Sequence, residues 1–320
     1  MNSAVCTLFE GDYHYGVAAL ANSLYRAGFR GNMYAGYRGA LPGWAANAVA
    51  RPLQSWPDAR ALQIDAGMTI VFLPLVTEYH LANYKADFML ALFGGPAQGV
   101  GALFYFDPDI CVVCSWTYML DWVKCGVALC EDLNSPLAEH HPRRVGWRDY
   151  YSARGIALTF RAPEYINSGF VGVRAEDRSL LLCWKQAMDL MSEEIGSLAL
   201  ALSSKSTYRS TGFADCFDCT DQDGLNVAIE SSQVRVSVIG KEAMGLKPGS
   251  ALVPHALGNV KPWRTNYLGW CLRGFPPRMV DKAFWSSVAS PIAPYSALTR
   301  WRKRAELRMA SAIGRVFSRA

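Results

Sequence analysis

Two carboxylates two residues apart, Asp107 and Asp109, interrupt a stretch that otherwise reads as a buried strand, Phe104-Tyr-Phe-Asp107-Pro-Asp109-Ile-Cys-Val-Val-Cys114. Burying an unpaired carboxylate is costly, so a pair at the end of a strand needs a partner. A hard divalent cation is the natural one, because carboxylate oxygens suit Mg²⁺ and Mn²⁺. Asp and Pro also mark turns, so the pair alone fits a strand-ending turn equally well.

Other residues could complete such a site. His255, Gly258 and Lys261 are spaced by three, with Pro262-Trp263 following. A neutral imidazole can join two carboxylates as a third metal ligand. Glycine lets the backbone approach a ligand closely, and lysine is a point charge for phosphate. Asn167-Ser-Gly could hydrogen-bond a sugar hydroxyl through the amide, or simply mark a bulge. Asp221-Gln222 opens a helical stretch and could reach a ligand, although capping by Asp221 or Thr220 explains it too. The pairs Cys111/Cys114 and Cys216/Cys219 argue little for zinc. The first lies in the strand reading, where residues three apart point to opposite faces. No Gly-x-Gly-x-x-Gly, Walker A or Gly-x-Ser-x-Gly sequence is present.

The elements that would position these residues alternate. Residues 3–9 read as a strand, and a polar turn from Glu10 to Gly16 follows. Val17, Leu20, Leu24 and Ala27 then recur at helical spacing up to Gly28. Residues 31–38 form a second strand, so the opening predicts an α/β sheet with parallel pairing. Ligands in such sheets sit beyond the carboxyl ends of strands, which places residues 9–15 at a crevice. Residues 69–76 read as a strand and 81–93 as a helix. Residues 117–130 have helical spacing, and Glu139 to Arg144 reads as a polar loop. Residues 156–160 and 165–173 read as strands, 180–191 as a helix, 196–220 as an insertion and 234–239 as a strand. Residues 40–67 give no clear signal. Beyond Pro277 the chain turns helical.

Taken in order, these motifs resemble the family 8 glycosyltransferases, the group that contains glycogenin and bacterial lipopolysaccharide galactosyl- and glucosyltransferases. The co-linear set is Tyr13 with Gly16, Tyr84-Lys85, Asp107-x-Asp109, Asn167-Ser-Gly, Asp221-Gln-x-x-Leu-Asn226 and His255-x-x-Gly-x-x-Lys261-Pro-Trp. The resemblance spans about residues 4–264. It implies a GT-A fold, a Rossmann-like mixed sheet flanked by helices that binds a nucleotide sugar. It also implies retaining transfer of a hexose from a UDP-sugar, with Mn²⁺ or Mg²⁺. Asp107, Asp109 and His255 would hold the metal on the diphosphate. Tyr13 would stack on uracil, and Lys85 and Lys261 would meet the diphosphate or sugar. Thr7 and Gly258 would also lie on the donor side. Asn167, Asp221 and Gln222 would surround the transferred sugar as catalytic residues. Pro108 departs from the pattern, since it fixes φ and removes a donor between the aspartates.

Composition fits this frame. Of 320 residues, 51% are apolar and 18% charged, which is enough apolar chain for a substantial core. Nine scattered cysteines do not form a disulfide framework, and no signal peptide is evident, so a cytoplasmic setting is expected. The expected division is a catalytic domain over 1–265 and a helical, basic extension over 266–320. Within the extension, Leu298, Trp301, Ala305, Met309, Ala312, Ile313 and Val316 recur at helical steps among arginines. Such a helix either docks on the protein or lies on the inner face of an anionic membrane, where a lipid-linked glycan acceptor would be met. No nucleic-acid partner is expected. The alternatives are a nucleotidyltransferase of similar fold and an inactive membrane-associated scaffold.

Overall fold

The computed structural model describes residues 1–200 and 216–317. In chain order the strands are β1 (Ser3–Glu10), β2 (Gly31–Arg38), β3 (Val49–Ala50), β4 (Arg60–Asp65), β5 (Met68–Pro74), β6 (Ala102–Phe106), β7 (Val127–Glu131), β8 (Ile166–Arg174) and β9 (Val236–Ile239). The helices are α1 (His14–Ala27), α2 (Lys85–Phe93), α3 (Trp116–Trp122), α4 (Pro142–Ser152), α5 (Ser179–Ile195), α6 (Thr220–Ser231), α7 (Tyr267–Cys271), α8 (Met279–Ser287) and α9 (Ala297–Gly314). The chain divides into two compact units, one of Met1–Leu8, Leu75–Tyr105 and Leu120–Lys241, the other of Phe9–Pro74, Phe106–Met119 and Glu242–Ala320.

In the first unit the strand order is β1-β6-β8-β7-β9. β1 and β6 run parallel, β7 and β8 antiparallel, and β7 and β9 parallel. The β1–β6 pair is buried throughout its register, as the apolar runs Ala-Val-Cys and Ala-Leu-Phe-Tyr-Phe require. α5 lies on α6 at Gly224, where a Cβ would meet the Met188 sulfur at 2.5 Å. In the second unit the order is β3-β4-β5-β2, with β2 and β5 parallel and the β4 pairs antiparallel. α1 ends at Gly28, whose φ of 95° gives the left-handed stop that the glycine suggests. The mixed α/β sheet flanked by helices is therefore present, and among the described residues no helix is long and apolar enough to cross a membrane.

Several local readings are corrected. Residues 40–67 contain β3 and β4, which the Ala-rich sequence with its three prolines concealed. Residues 117–130 are not one helix. α3 and a short turn stop at Gly126, whose φ is 140°, and β7 follows. A Cβ on Gly126 would lie 2.7 Å from the Arg235 carbonyl oxygen, so the glycine allows β9's lead-in to approach. Residues 156–160 form no strand. The expected polar loop from Glu139 to Arg144 gives way at Pro142 to helix α4, capped by His141 with Pro142 at its first position. The strand before the aspartates ends at Phe106, so Cys111 and Cys114 lie outside it. Most of the expected 196–220 insertion, residues 201–215, lies outside the described residues.

Candidate active site

Two polar clusters gather the residues singled out from the sequence, one in each unit.

The second unit holds the acidic cluster. β6 ends at Phe106, and Asp107-Pro-Asp109 turns out of the strand, with Ile110 N–H bonded to the Asp107 carbonyl at 3.1 Å. The chain then pairs with residues 252–256. Ala256 N–H donates to Asp109 O at 3.1 Å, Cys111 N–H to Pro254 O at 3.1 Å and Val113 N–H to Leu252 O at 2.9 Å. Ile110 and His255 form an antiparallel bridge. This backbone ladder brings His255 to the aspartates across a long stretch of sequence.

The ligand atoms of Asp107, Asp109 and His255 all lie within 4.8 Å of one another. His255 Nε2 is 3.2 Å from Asp109 Oδ1 and 3.7 Å from Asp107 Oδ2. Asp109 and His255 are buried, whereas Asp107 is partly exposed. Two carboxylates and one imidazole facing inward, with one ligand open to solvent, suit a hard or borderline divalent cation that keeps open positions. Pro108 does not disturb the convergence. Its carbonyl oxygen packs against α1 at Gly16, where a Cβ would overlap it.

Lys261 completes this cluster. Its ammonium donates to Asp109 Oδ2 at 2.5 Å and to the Ala256 carbonyl at 2.8 Å. Burial alone would raise the Asp109 carboxyl, but His255 and Lys261 outweigh it and hold it well below the usual range. Burial would lower the Lys261 ammonium, and Asp109 outweighs that in turn, so its pKa is raised. The Tyr13 ring stands edge-on to Trp263 at 5.4 Å, with Lys261 Nζ 5.6 Å from its centroid. Asp12 and Arg264 were not singled out from the sequence. Asp12 accepts from Trp263 Nε1 at 3.0 Å and Arg264 Nε at 2.6 Å, tying the loop after Lys261 to the first turn. The Glu-Gly-Asp turn carried that signal only as a turn. Gly258 has a φ of 78° with open space where a Cβ would stand.

The first unit holds the amide and carboxylate cluster. Asp221 Oδ2 accepts from Lys85 Nζ at 2.7 Å and from Ser168 Oγ at 2.6 Å. Lys85 also reaches the Ser168 carbonyl at 3.3 Å. Asn167 Nδ2 donates to Asp132 Oδ2 at 2.7 Å and to Gln222 Oε1 at 3.2 Å. The Asn-Ser-Gly strand, the Asp-Gln helix start and the α2 lysine thus form one network. Burial would raise the Asp221 carboxyl, but Lys85 and Ser168 hold it below its ordinary value. Asp132 was missed from sequence, because it follows the strand that was read as helix. Thr7 is fully buried in β1, and its hydroxyl has no hydrogen-bond partner among the described residues.

Helix α6 is held in place by groups beneath it. Cys219 is its N-cap, with no side-chain bond, rather than Thr220 or Asp221. Asp223 reaches back to Cys219 N–H at 3.0 Å and accepts from Tyr165 Oη at 2.6 Å and from Arg143. Burial pushes the Asp223 carboxyl up to about 6, against the pull of Arg143 and Tyr165. Asn226 straps the helix to β8, accepting from Ile166 N–H at 2.9 Å and donating to its carbonyl at 3.0 Å.

This α/β architecture is that of GT-A-type glycosyltransferases. Among solved structures, the galactosyltransferase LgtC in complex with donor and acceptor sugar analogues is similar at 15% identity and a TM-score of 0.51, covering 90% of this chain and 97% of that one. A second LgtC structure, of an active-site mutant, matches at 15% identity and a TM-score of 0.51, covering 94% of this chain and 99% of that one. The glycosyltransferase GlyE of Streptococcus pneumoniae matches at 14% identity and a TM-score of 0.50, covering 96% of this chain and 64% of that one. No protein-family model and no curated protein matches the sequence.

Proposed function

We propose that the protein is a metal-dependent, retaining glycosyltransferase that moves a hexose from a UDP-sugar to a glycan or lipid-linked glycan. The observation that carries this reading is the convergence of Asp107, Asp109 and His255 within 4.8 Å, on a fold shared with glycosyltransferases. Asp107, Asp109 and His255 would hold Mn²⁺ or Mg²⁺, which neutralises charge on the departing diphosphate when bound. Lys261 lies against Asp109 and would add a second positive charge to the leaving group. Tyr13, half-buried beside Trp263, would stack on the base. Thr7 and Gly258 would lie on the donor side, the glycine leaving room for close backbone approach.

In the other cluster, Asn167, Asp221 and Gln222 would face the transferred sugar. Lys85 neutralises Asp221 and fixes its orientation, and would also meet the donor's diphosphate or sugar. Attack by the acceptor hydroxyl on the donor's front face, as the diphosphate leaves, would need no protein nucleophile, and the carboxylate and amides would stabilise the oxocarbenium-like state. The last helix, α9, would lie on an anionic membrane surface and bring the enzyme to a lipid-linked acceptor.

A donor screen tests this reading. The protein is incubated with a panel of nucleotide sugars and Mn²⁺, and released nucleotide is measured. Metal-dependent UDP release from one UDP-hexose is expected. Release that ignores chelation, or preference for another nucleotide, would overturn the assignment.

A further inference from the structure

Residues 257–260, the loop between His255 and Lys261, form one wall of a cavity of about 340 Å³ within the second unit. That volume falls in the range of small-molecule sites. The lining also includes Trp270 and Phe275, whose rings stand 5.4 Å apart, and Pro276 and Pro277.

Of the polar side chains in the lining, Arg278, Asp281, Thr265 and Tyr267 are engaged with the protein itself, and Asn259 is exposed to solvent. Arg278 donates to the Leu257 carbonyl at 3.3 Å, the Val260 carbonyl at 2.8 Å and the Asp281 carboxylate at 3.1 Å. Asp281 also accepts from Arg278 N–H at 2.8 Å. Thr265 Oγ1 donates to the Lys261 carbonyl at 2.7 Å, and Tyr267 Oη to that of Pro262 at 3.0 Å. A sugar ring placed there would leave hydroxyls short of partners, which is costly. A hydrocarbon chain would meet aromatic faces and prolines and lose nothing.

The surroundings select the same ligand. Phe275, Leu272 and Met279 are exposed apolar residues on the segment that carries the Trp270 and Pro277 walls. The end of α9 packs on the cavity's proline wall, since a Cβ on Gly314 would lie 2.6 Å from Pro276 Cβ. Val316 and Phe317, just beyond, are exposed. Residues 256–320 carry twelve Lys and Arg against two acids, a charge that complements an anionic lipid headgroup.

We propose that this cavity binds the hydrocarbon chain, acyl or prenyl, of a lipid-linked acceptor. The proposal rests on the acceptor class given above and names the part of the acceptor that the protein holds. A chain in the cavity touches Leu257 and Val260, so it also steadies the loop that ends in Lys261.

Tryptophan quenching by dodecyl maltoside brominated along its chain, used below its micelle concentration, tests the proposal. Saturable quenching is expected in the full chain, with most of it lost in Trp270→Phe. Phe275→Asp should weaken binding by roughly tenfold or more, whereas Phe275→Leu should retain it. Maltose should not compete. Quenching that does not saturate, that survives Trp270→Phe, or that maltose abolishes would overturn the proposal. So would quenching by neutral vesicles of brominated phospholipid without any by the soluble chain, which would assign the contact to a bilayer surface. If Phe275→Asp does not fold, the Trp270→Phe difference and the Phe275→Leu arm decide. Metal-dependent UDP release is measured on the same samples. Its absence with quenching intact sinks the transferase reading and leaves the cavity assignment standing.

Discussion

Lys261 Nζ lies 2.5 Å from one oxygen of Asp109, and His255 Nε2 lies 3.2 Å from the other. One buried carboxylate is therefore shared between the His255 imidazole and the Lys261 ammonium. Asp109→Asn should lose Mn²⁺ affinity by roughly 100-fold or more, read by calorimetry. It should also leave Lys261 buried without its counter-charge, at a cost of about 3–5 kcal/mol. Asp107 is more exposed, so Asp107→Asn should lose metal with a smaller fall in stability. Equal Mn²⁺ binding by both variants and wild type would remove these carboxylates from the metal site.

Gly16 and Pro108 make a second test of the same region. A Cβ at position 16 would overlap the Pro108 carbonyl oxygen. Alanine normally improves a helix by about 1 kcal/mol over glycine. Here the sign should reverse, with Gly16→Ala destabilising by about 1–3 kcal/mol through overpacking. The displaced Asp107–Asp109 peptide should also bind Mn²⁺ more weakly. A raised melting temperature with unchanged Mn²⁺ affinity would show that α1 does not press on this turn.

The Tyr13 ring is half-buried against Trp263, with the Lys261 ammonium over the ring 5.6 Å from its centroid. Tyr13→Ala should weaken UDP binding by about 1–3 kcal/mol, the range of base–aromatic stacking. Calorimetry should show UDP bound more tightly than GDP by the wild type. Tighter GDP binding would mean that another group reads the base.

Lys85 and Asp221 pair in a buried setting, and the Asp221 carboxyl is held below its ordinary value. A depressed acid contributes stability that is present above the unfolded carboxylate value, about 3.9, and lost as pH falls through the folded one. Asp221→Asn should therefore cost about 3–5 kcal/mol at pH 7, because Lys85 is left unpaired. The gap between wild type and variant should narrow in urea melts taken below about pH 4. A gap that stays constant with pH would trace the loss to packing rather than charge.

How far the sequence revealed this site depends on where each signal resides. Asp107, Asp109, His255 and Lys261 were legible because residue type and spacing carry the chemistry. The 252–256 backbone pairing that unites them was not, since nothing local in Leu-Val-Pro-His marks it as the partner of residues 109–113. Helix α4 was hidden for a different reason. Arg143 and Arg144 look like solvent-facing charge, yet both are buried, paired with Asp223 and Glu230. Those acids lie about 80 residues on, beyond the reach of any local pattern. β7 was hidden because Met119, Trp122, Val123 and Val127 fit a helical period, and only the φ of Gly126 ends it. Asp132, which bonds Asn167, was lost with that strand.

The last helix presents two apolar faces, and the sequence suggested only one. Leu307 and Ala310 are buried in a cluster with Tyr267, Phe284 and Trp285, and Ile313 packs on it. Glu306 accepts from the Tyr267 N–H at 2.6 Å, and Arg304 donates to the Trp285 carbonyl at 3.0 Å. This face docks the helix. Leu298, Trp301, Met309 and Val316 recur at helical steps on the other face and are exposed, with Arg302, Arg308 and Arg315 exposed beside them. Exposed apolar residues flanked by arginines suit the interface of an anionic bilayer, each nearby Arg adding roughly 1 kcal/mol. The full chain should sediment with anionic vesicles at low salt and release at high salt. Removing the helix is a poor test, because Leu307 and Glu306 belong to the fold. Leu298→Ser combined with Trp301→Ser removes apolar residues only from the exposed face. That variant should keep its melting temperature and its metal-dependent UDP release while losing vesicle binding. Undiminished sedimentation of the variant, or none by the wild type, would retire the membrane role and leave α9 as part of the core.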